Sequence, residues 1–157
     1  MKATDLSDQV PPVYTKLKDL HLQTRLVWQA KPAVTIVAPA GGIYDRSADR
    51  IQAAIERRSG VRGPIARDDS PEAVVPIAGN RIVLGNRSTN RTIEELYNRY
   101  FTLLDLWYPG PGGYEVRSLH NPFGGGHNVI FVGGSDAAGV ARAAEAFAEK
   151  LEDAEAD

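Results

Sequence analysis

The sequence predicts an α/β sandwich, in which about five or six strands of a mixed sheet are covered by three main helices. In the stretch NVIFVGGSDAAGVARAAEAFAEKL, residues 128–151, a short apolar run passes through two glycines into a helical pattern. Upstream, apolar runs alternate with helical patterns in the order β-β-α-β-β-α-β-β-α. The chain has 157 residues, 43% of them hydrophobic and 24% charged, which is typical of one globular domain.

Residues 128–151 supply the last strand and the last helix. Residues 129–132 are β-branched or aromatic, which predicts a strand buried on both faces. Ser135 or Asp136 can accept a hydrogen bond from the first helical turn. Apolar residues then recur on one face of the helix, namely Val140, Ala144, Phe147, Ala148 and Leu151.

The first half of the chain predicts two closely coupled strands, residues 25–30 and 33–38, separated by Lys31-Pro32. A helix capped by Asp45 or Ser47 follows and is expected to end at a left-handed Gly60.

Residues 61–66 predict a short strand at an edge of the sheet, because Pro64 cannot donate a backbone hydrogen bond. Residues 81–85, RIVLG, predict a buried strand, and residues 114–119 alternate like a strand with one wet face.

The clearest helical periodicity begins at Thr92, which forms a capping box with Glu95. The pattern predicts about four turns, ending before Pro109 and placing Trp107 in the core. Its apolar members are Ile93, Leu96, Tyr97, Tyr100, Leu103, Leu104 and Trp107.

We divide the chain into a lead-in at residues 1–24, one α/β domain at residues 25–152 and an acidic tail or linker start at residues 153–157. No stretch approaches the roughly 20 apolar residues that span a bilayer, so we expect a soluble chain without a membrane partner. The net charge of −2 argues against a nucleic-acid partner. The absence of cysteine excludes disulfides and thiolate metal sites but leaves the compartment open.

Two loops are candidates for anion binding. Gly134 and Ser135 precede a helix, where free amides and the helix dipole favour an anion. Arg87 and Arg91 follow the strand RIVLG and can grip a carboxylate or phosphate. The alternative for the first loop is a glycine turn with a purely structural role. The alternative for the second is a solvated loop that carries two arginines.

Aromatic and histidine side chains in residues 107–127 are candidates for carbohydrate binding. Tyr108 and Tyr114 border the loop PGPGG, from which rings can stack on a sugar or on another protein. His120 and His127 border a glycine-rich loop and could join them, but ordinary loop histidines are the favoured alternative. Two histidines alone make no metal site, and we predict no catalytic residue and no cofactor.

Four segments together resemble the small α/β domain that precedes the catalytic barrel in α-glucuronidases and β-N-acetylhexosaminidases. They are ADRIQAAIERRSGVRGPI, IVLG, GYEVR and NVIFVGGSDAAGVARAAEAF, and the similarity covers residues 33–151. The loops YPGPGGY and HNPFGGGH depart from that pattern. The resemblance implies a scaffold that packs on the barrel, which carries the reactive carboxylates, so it assigns no catalytic residue to this chain.

The sequence therefore predicts a non-catalytic accessory domain of a multidomain carbohydrate-active enzyme that acts on polysaccharide, in a secreted or periplasmic parent. Its partner would be the neighbouring catalytic domain of the same polypeptide. One alternative is a carbohydrate-binding module that uses the loops of residues 107–127. The other is a small anion- or nucleotide-binding enzyme domain.

Overall fold

The structure, a computed structural model, describes residues 22–73 and 77–153. The predicted lead-in and acidic tail lie mostly outside these ranges. The strands are β1 Val27–Trp28, β2 Lys31–Pro32, β3 Val34–Ala38, β4 Ile65–Arg67, β5 Asn80–Gly85, β6 Tyr114–Leu119 and β7 Val129–Gly134. The helices are α1 Asp45–Ser59, α2 Arg91–Asn98 and α3 Ala137–Asp153, with a 3-10 turn at Pro71–Ala73.

Five strands form the main sheet in the order β4-β3-β5-β7-β6. The first four run parallel, and β6 pairs antiparallel with β7, with Tyr114 opposite Gly134 and Leu119 opposite Val129. The predicted α/β fold with a mixed sheet is confirmed.

The two faces of the sheet bury separate apolar clusters, because successive side chains of a strand point to opposite faces. Ile36, Ile82 and Val132 face α1 and α3. Val37, Val83 and Phe131, their neighbours in sequence, face α2 and the segment that follows it. Burial on both sides explains why these strands read as continuous apolar runs.

The N-terminal strand pair differs from the prediction. Val27–Trp28 pairs with Lys31–Pro32 in a separate two-stranded sheet, and only Val34–Ala38 enters the main sheet. Gln29 and Ala30 form the turn with φ values of 49° and 55°, the conformation that tight hairpins require. Three strands therefore precede α1, where the sequence predicts two.

The ends of α1 and α3 follow the prediction in part. Gly60 ends α1 in the left-handed conformation with φ of 70°, as predicted. Tyr44 precedes the helix without a side-chain cap, and Asp45 forms an ion pair with Arg67 instead of capping. At the start of α3, Oδ1 of Asp136 accepts from the Gly139 amide at 2.8 Å, as predicted.

The prediction for α2 was wrong in its cap and in its length. The side chain of Asn90 accepts from the amides of Thr92 and Ile93, whereas the Thr92 hydroxyl donates to a carbonyl of the 3-10 turn. The helix ends at Asn98, and Tyr100 turns the chain with φ of 61°.

Local side-chain hydrogen bonds replace the helical ones after this point. The Thr102 hydroxyl accepts from the Leu104 amide, and Asp105 accepts from the amides of Trp107 and Tyr108. Trp107 is consequently exposed, which corrects its predicted place in the core. No helix within residues 22–73 and 77–153 has the length and apolar character that crossing a membrane requires.

Candidate binding surface

The carboxyl ends of β3 and β5 form the topological switch point of the sheet. The chain leaves β3 towards α1 on one face and leaves β5 towards α2 on the other, so their loops diverge. Open α/β sheets bind ligands in the crevice at such a point. The side chains at these two strand ends therefore decide whether the crevice can accept a ligand.

Two buried asparagines, each 1% exposed, join the strand ends at this point. The Asn90 amide group donates to the carbonyls of Val37 and Leu84, the next-to-last residues of β3 and β5. The Asn86 amide group donates to the carbonyls of Gly134, the last residue of β7, and of Ser135, which follows it. These side chains hold three neighbouring strand ends together.

Asp68 and Tyr44 fill the rest of the switch point. Oδ1 of Asp68 accepts from the Ala40 amide at 2.7 Å, and Oδ2 accepts from the Arg91 amide at 2.9 Å. Tyr44 is buried, which raises the pKa of its hydroxyl, although a hydrogen bond with Thr89 opposes the shift. Asp68 thus joins the loop after β3 to the start of α2 through both of its carboxylate oxygens.

The predicted anion site at the start of α3 is occupied by the protein itself. Ser135 is buried, and its hydroxyl accepts from the Gly110 amide while its own amide donates to the Gly113 carbonyl. The Asp136 carboxylate accepts from the Gly139 and Gly112 amides, which holds its pKa below the usual range. The loop of residues 110–113 thereby covers this helix end.

The two predicted arginines lie in different surroundings. The Arg87 guanidinium stacks over the Tyr97 ring, 4.6 Å from its centroid, and the Arg91 side chain is exposed at the start of α2. Gly134 packs against the first turn of α3, where an added Cβ would lie 2.2 Å from the Val140 nitrogen. Its role in the structure is close packing.

The four candidate carbohydrate-binding residues fall into two separate places. Tyr108 and Tyr114 line one cleft of about 410 Å³. His120 follows the other end of β6, and His127 lines a different cavity of about 580 Å³. Five strand residues at about 3.3 Å each separate the two ends of β6 by roughly 17 Å. The structure brings the tyrosines together and leaves the histidines apart from them.

Residues 100–114 carry six of the nine large hydrophobic side chains that are exposed in the described part of the chain. We call these six side chains the aromatic surface. They are Tyr100 (87% exposed), Leu103 (62%), Leu106 (53%), Trp107 (88%), Tyr108 (61%) and Tyr114 (45%). Tyr100, Leu103, Tyr108 and Tyr114 line one cleft, and Leu106 and Trp107 line another. Exposed apolar clusters are common at binding sites.

Hydrogen bonds to Asp105 fix the backbone at Trp107 and Tyr108, two members of the aromatic surface. Asp105 accepts from the Trp107 amide at 2.8 Å, from the Tyr108 amide at 2.9 Å and from the Tyr97 hydroxyl at 3.3 Å. The two amide hydrogen bonds are the main cause of the lowered pKa of Asp105. A pre-organised surface loses less conformational entropy when it binds.

The sequence pattern did not reveal most of this surface. Tyr100, Leu103 and Trp107 match a helical period, so they were assigned to a buried face. The signal against that assignment lies in residues 104–109, LDLWYP. Their apolar side chains do not keep to one face of a helix, and Asp105 can accept hydrogen bonds that turn the chain. Only Tyr108 and Tyr114 were identified as surface candidates.

Residues 22–73 and 77–153 contain no group of three or more His, Cys, Asp or Glu side chains that could hold a metal ion. No protein-family model matches the chain, and no curated protein shows significant similarity to it.

Proposed function

We propose that this chain is a non-catalytic accessory domain of a multidomain carbohydrate-active enzyme and that it docks on a neighbouring domain through the aromatic surface. The observation that carries the proposal is the exposure of Trp107 and its apolar neighbours on a segment held by fixed hydrogen bonds. Tryptophan and tyrosine are enriched at the centres of protein interfaces, where they contribute most of the binding energy.

The composition of the aromatic surface favours a protein partner. Leu103 and Leu106 belong to it, and aliphatic side chains contribute to binding by losing contact with water. A sugar ring gains more from a flat aromatic face. Trp107, the most exposed of the six side chains, is suited to fill a pocket on an apolar protein surface.

The resemblance of residues 33–151 to the domain before the barrel of α-glucuronidases and β-N-acetylhexosaminidases supports the choice of parent enzyme. Under this proposal the parent acts on polysaccharide, and the catalytic carboxylates belong to the neighbouring domain. The chain described here would support or orient that domain.

Calorimetric titration with the catalytic domain encoded in the same reading frame tests the proposal. We expect Trp107→Ala to weaken binding at least tenfold, because buried tryptophan anchors typically contribute about 2 kcal/mol or more. Trp28→Ala is the matched control, since Trp28 is 51% exposed on the separate hairpin. Equal weakening by both variants would contradict the proposal, as would a reading frame that encodes no carbohydrate-active domain.

A carbohydrate-binding module is the second candidate, because Tyr108 and Tyr114 line one cleft with the polar side chains of Glu115 and Arg117. A panel of neutral and acidic polysaccharides, read by tryptophan fluorescence, tests it. Binding that is lost in Tyr108→Ala and Tyr114→Ala but kept in His120→Ala would support this candidate. The absence of binding to every glycan would leave the docking proposal as the better one.

A further inference from the structure

The strand β6 forms one edge of the main sheet and is six residues long. Its partner β7 lies on one side only. The opposite edge, β4, is three residues long and follows Pro64, features that discourage pairing with another chain. A longer edge strand offers backbone groups to an additional strand.

The two charged side chains of β6 are arranged symmetrically about Val116. Glu115 and Arg117 flank Val116 and point to the same face of the sheet, since side chains alternate along a strand. Nε of Arg117 lies 3.0 Å from Oε1 of Glu115, and both side chains are partly exposed. One negative and one positive charge therefore stand at equal distances from Val116.

We propose that two copies of this chain associate through β6, which pairs antiparallel with β6 of the second copy about Val116. This register places Glu115 opposite Arg117 of the second copy, and the twofold symmetry repeats the pair. Directly opposite residues of antiparallel strands lie about 4.5–5.5 Å apart, so both pairs are in contact range. The five-stranded sheets of the two copies become continuous.

Apolar side chains beside β6 extend the contact. A stable dimer buries about 800 Å² on each partner, which is more than one strand pair supplies. The cleft along β6 is lined by Tyr100, Leu103, Tyr108 and Tyr114 in addition to Glu115 and Arg117. Pairing of the two β6 strands brings the two clefts together and covers these exposed apolar side chains.

This association and the proposed docking share Tyr100, Leu103, Tyr108 and Tyr114, so they compete for these side chains, and Trp107 distinguishes them. The association uses the side edge of the sheet, whereas Leu106 and Trp107 line a separate pocket with Arg87, which follows β5 at the carboxyl edge. A Trp107→Ala chain should therefore associate with itself as the unchanged chain does, and loss of association in that variant would contradict the register proposed here.

Two charge variants test the pairing by sedimentation velocity. Arg117→Glu makes positions 115 and 117 acidic, and Glu115→Arg makes both basic. Each variant alone places like charges opposite each other, and we expect its dissociation constant to rise at least tenfold. An equal mixture restores opposite charges across the interface, so we expect heterodimers with a dissociation constant within a few-fold of that of the unchanged chain.

Mixing the two variants distinguishes a contact between copies from a change within one copy. Both variants lose the ion pair between Glu115 and Arg117 of the same copy, and mixing restores it in neither. Circular dichroism before mixing verifies that each variant is folded. The proposal is overturned if the unchanged chain stays monomeric at about 1 mM, if either variant associates as tightly as the unchanged chain, or if the folded variants remain monomers when mixed.

Discussion

The side chain of Asn90 shows how one residue connects a helix to the sheet. Its carbonyl oxygen accepts from the Thr92 and Ile93 amides at the start of α2. Its amide group donates to the carbonyls of Val37 and Leu84 at the ends of β3 and β5. Because Asn90 is 1% exposed, water cannot replace these partners.

We expect Asn90→Ala to lower the free energy of unfolding by about 3 kcal/mol. The substitution removes a helix cap and leaves buried backbone groups unsatisfied, each effect costing about 1–2 kcal/mol. Urea denaturation measures the change. Ser88→Ala, at an exposed position of the same loop, is the control and should stay within about 0.5 kcal/mol of the unchanged chain. A similar loss in both variants would contradict the assigned role of Asn90.

At the scale of elements, the junction of β7 and α3 depends on backbone contact. A Cβ added at Gly139 would lie 2.3 Å from the Gly113 carbonyl oxygen, which belongs to the loop that covers the helix end. The Ser135 amide donates to the same oxygen, so moving the loop away from the added Cβ would strain this hydrogen bond. The glycines of this junction therefore serve packing.

Gly139→Ala should lower the free energy of unfolding by about 2 kcal/mol, although alanine favours a helix over glycine by about 1 kcal/mol. The matched control is Gly41→Ala, where nothing lies within 4 Å of the added Cβ and little change is expected. Thermal and urea unfolding of the two variants test this. Stabilisation by Gly139→Ala would show that helix propensity outweighs the steric contact.

The helices α1 and α3 are joined across their exposed sides by an ion-pair network. Nη1 of Arg50 lies 2.7 Å from Oε1 of Glu152, and Nη2 of Arg50 lies 2.7 Å from Oε1 of Glu145. Arg57 also pairs with Glu152. Hydrogen bonds from Arg50 and then Arg57 lower the pKa of Glu152 from 4.5 to about 2.

This shift predicts the direction of a pH effect. The folded pKa lies below the unfolded one, so Glu152 stabilises the fold fully above about pH 4.5, and the contribution is lost as the pH falls towards about 2. We expect Glu152→Gln to unfold more easily than the unchanged chain at neutral pH, and we expect this difference to shrink steadily as the pH falls to about 2. Urea midpoints across this range measure the difference, and Glu149→Gln, on the exposed side of α3, should show no such convergence.

At the scale of the whole molecule, the parts of the fold that follow from local pattern were predictable. The last strand and helix combine a continuous apolar run, a glycine turn, an Asp cap and one apolar helical face, and each signal indicates the same structure. The edge position of residues 65–67 followed from Pro64, and the end of α1 followed from Gly60.

The parts that were missed depend on contacts between distant residues. Periodicity extended α2 to Trp107, but Asn98 ends it, and the later residues bond locally through Thr102 and Asp105. The pattern identified Thr92 as a cap because it could not show that Asn90 reaches the ends of two strands. For the same reason most of the aromatic surface was assigned to the core.

The accessibility of Trp107 tests the docking proposal most directly. Trp28→Phe leaves Trp107 as the only tryptophan, because the chain contains two. In the isolated chain we expect acrylamide to quench its fluorescence almost as efficiently as that of free tryptophan, since the side chain is 88% exposed. In the complete protein that contains the catalytic domain, the signal of all other tryptophans is subtracted with the Trp28→Phe/Trp107→Phe double variant, and we expect quenching of Trp107 to fall several-fold because docking covers the ring. Equal quenching in both proteins would contradict the proposal.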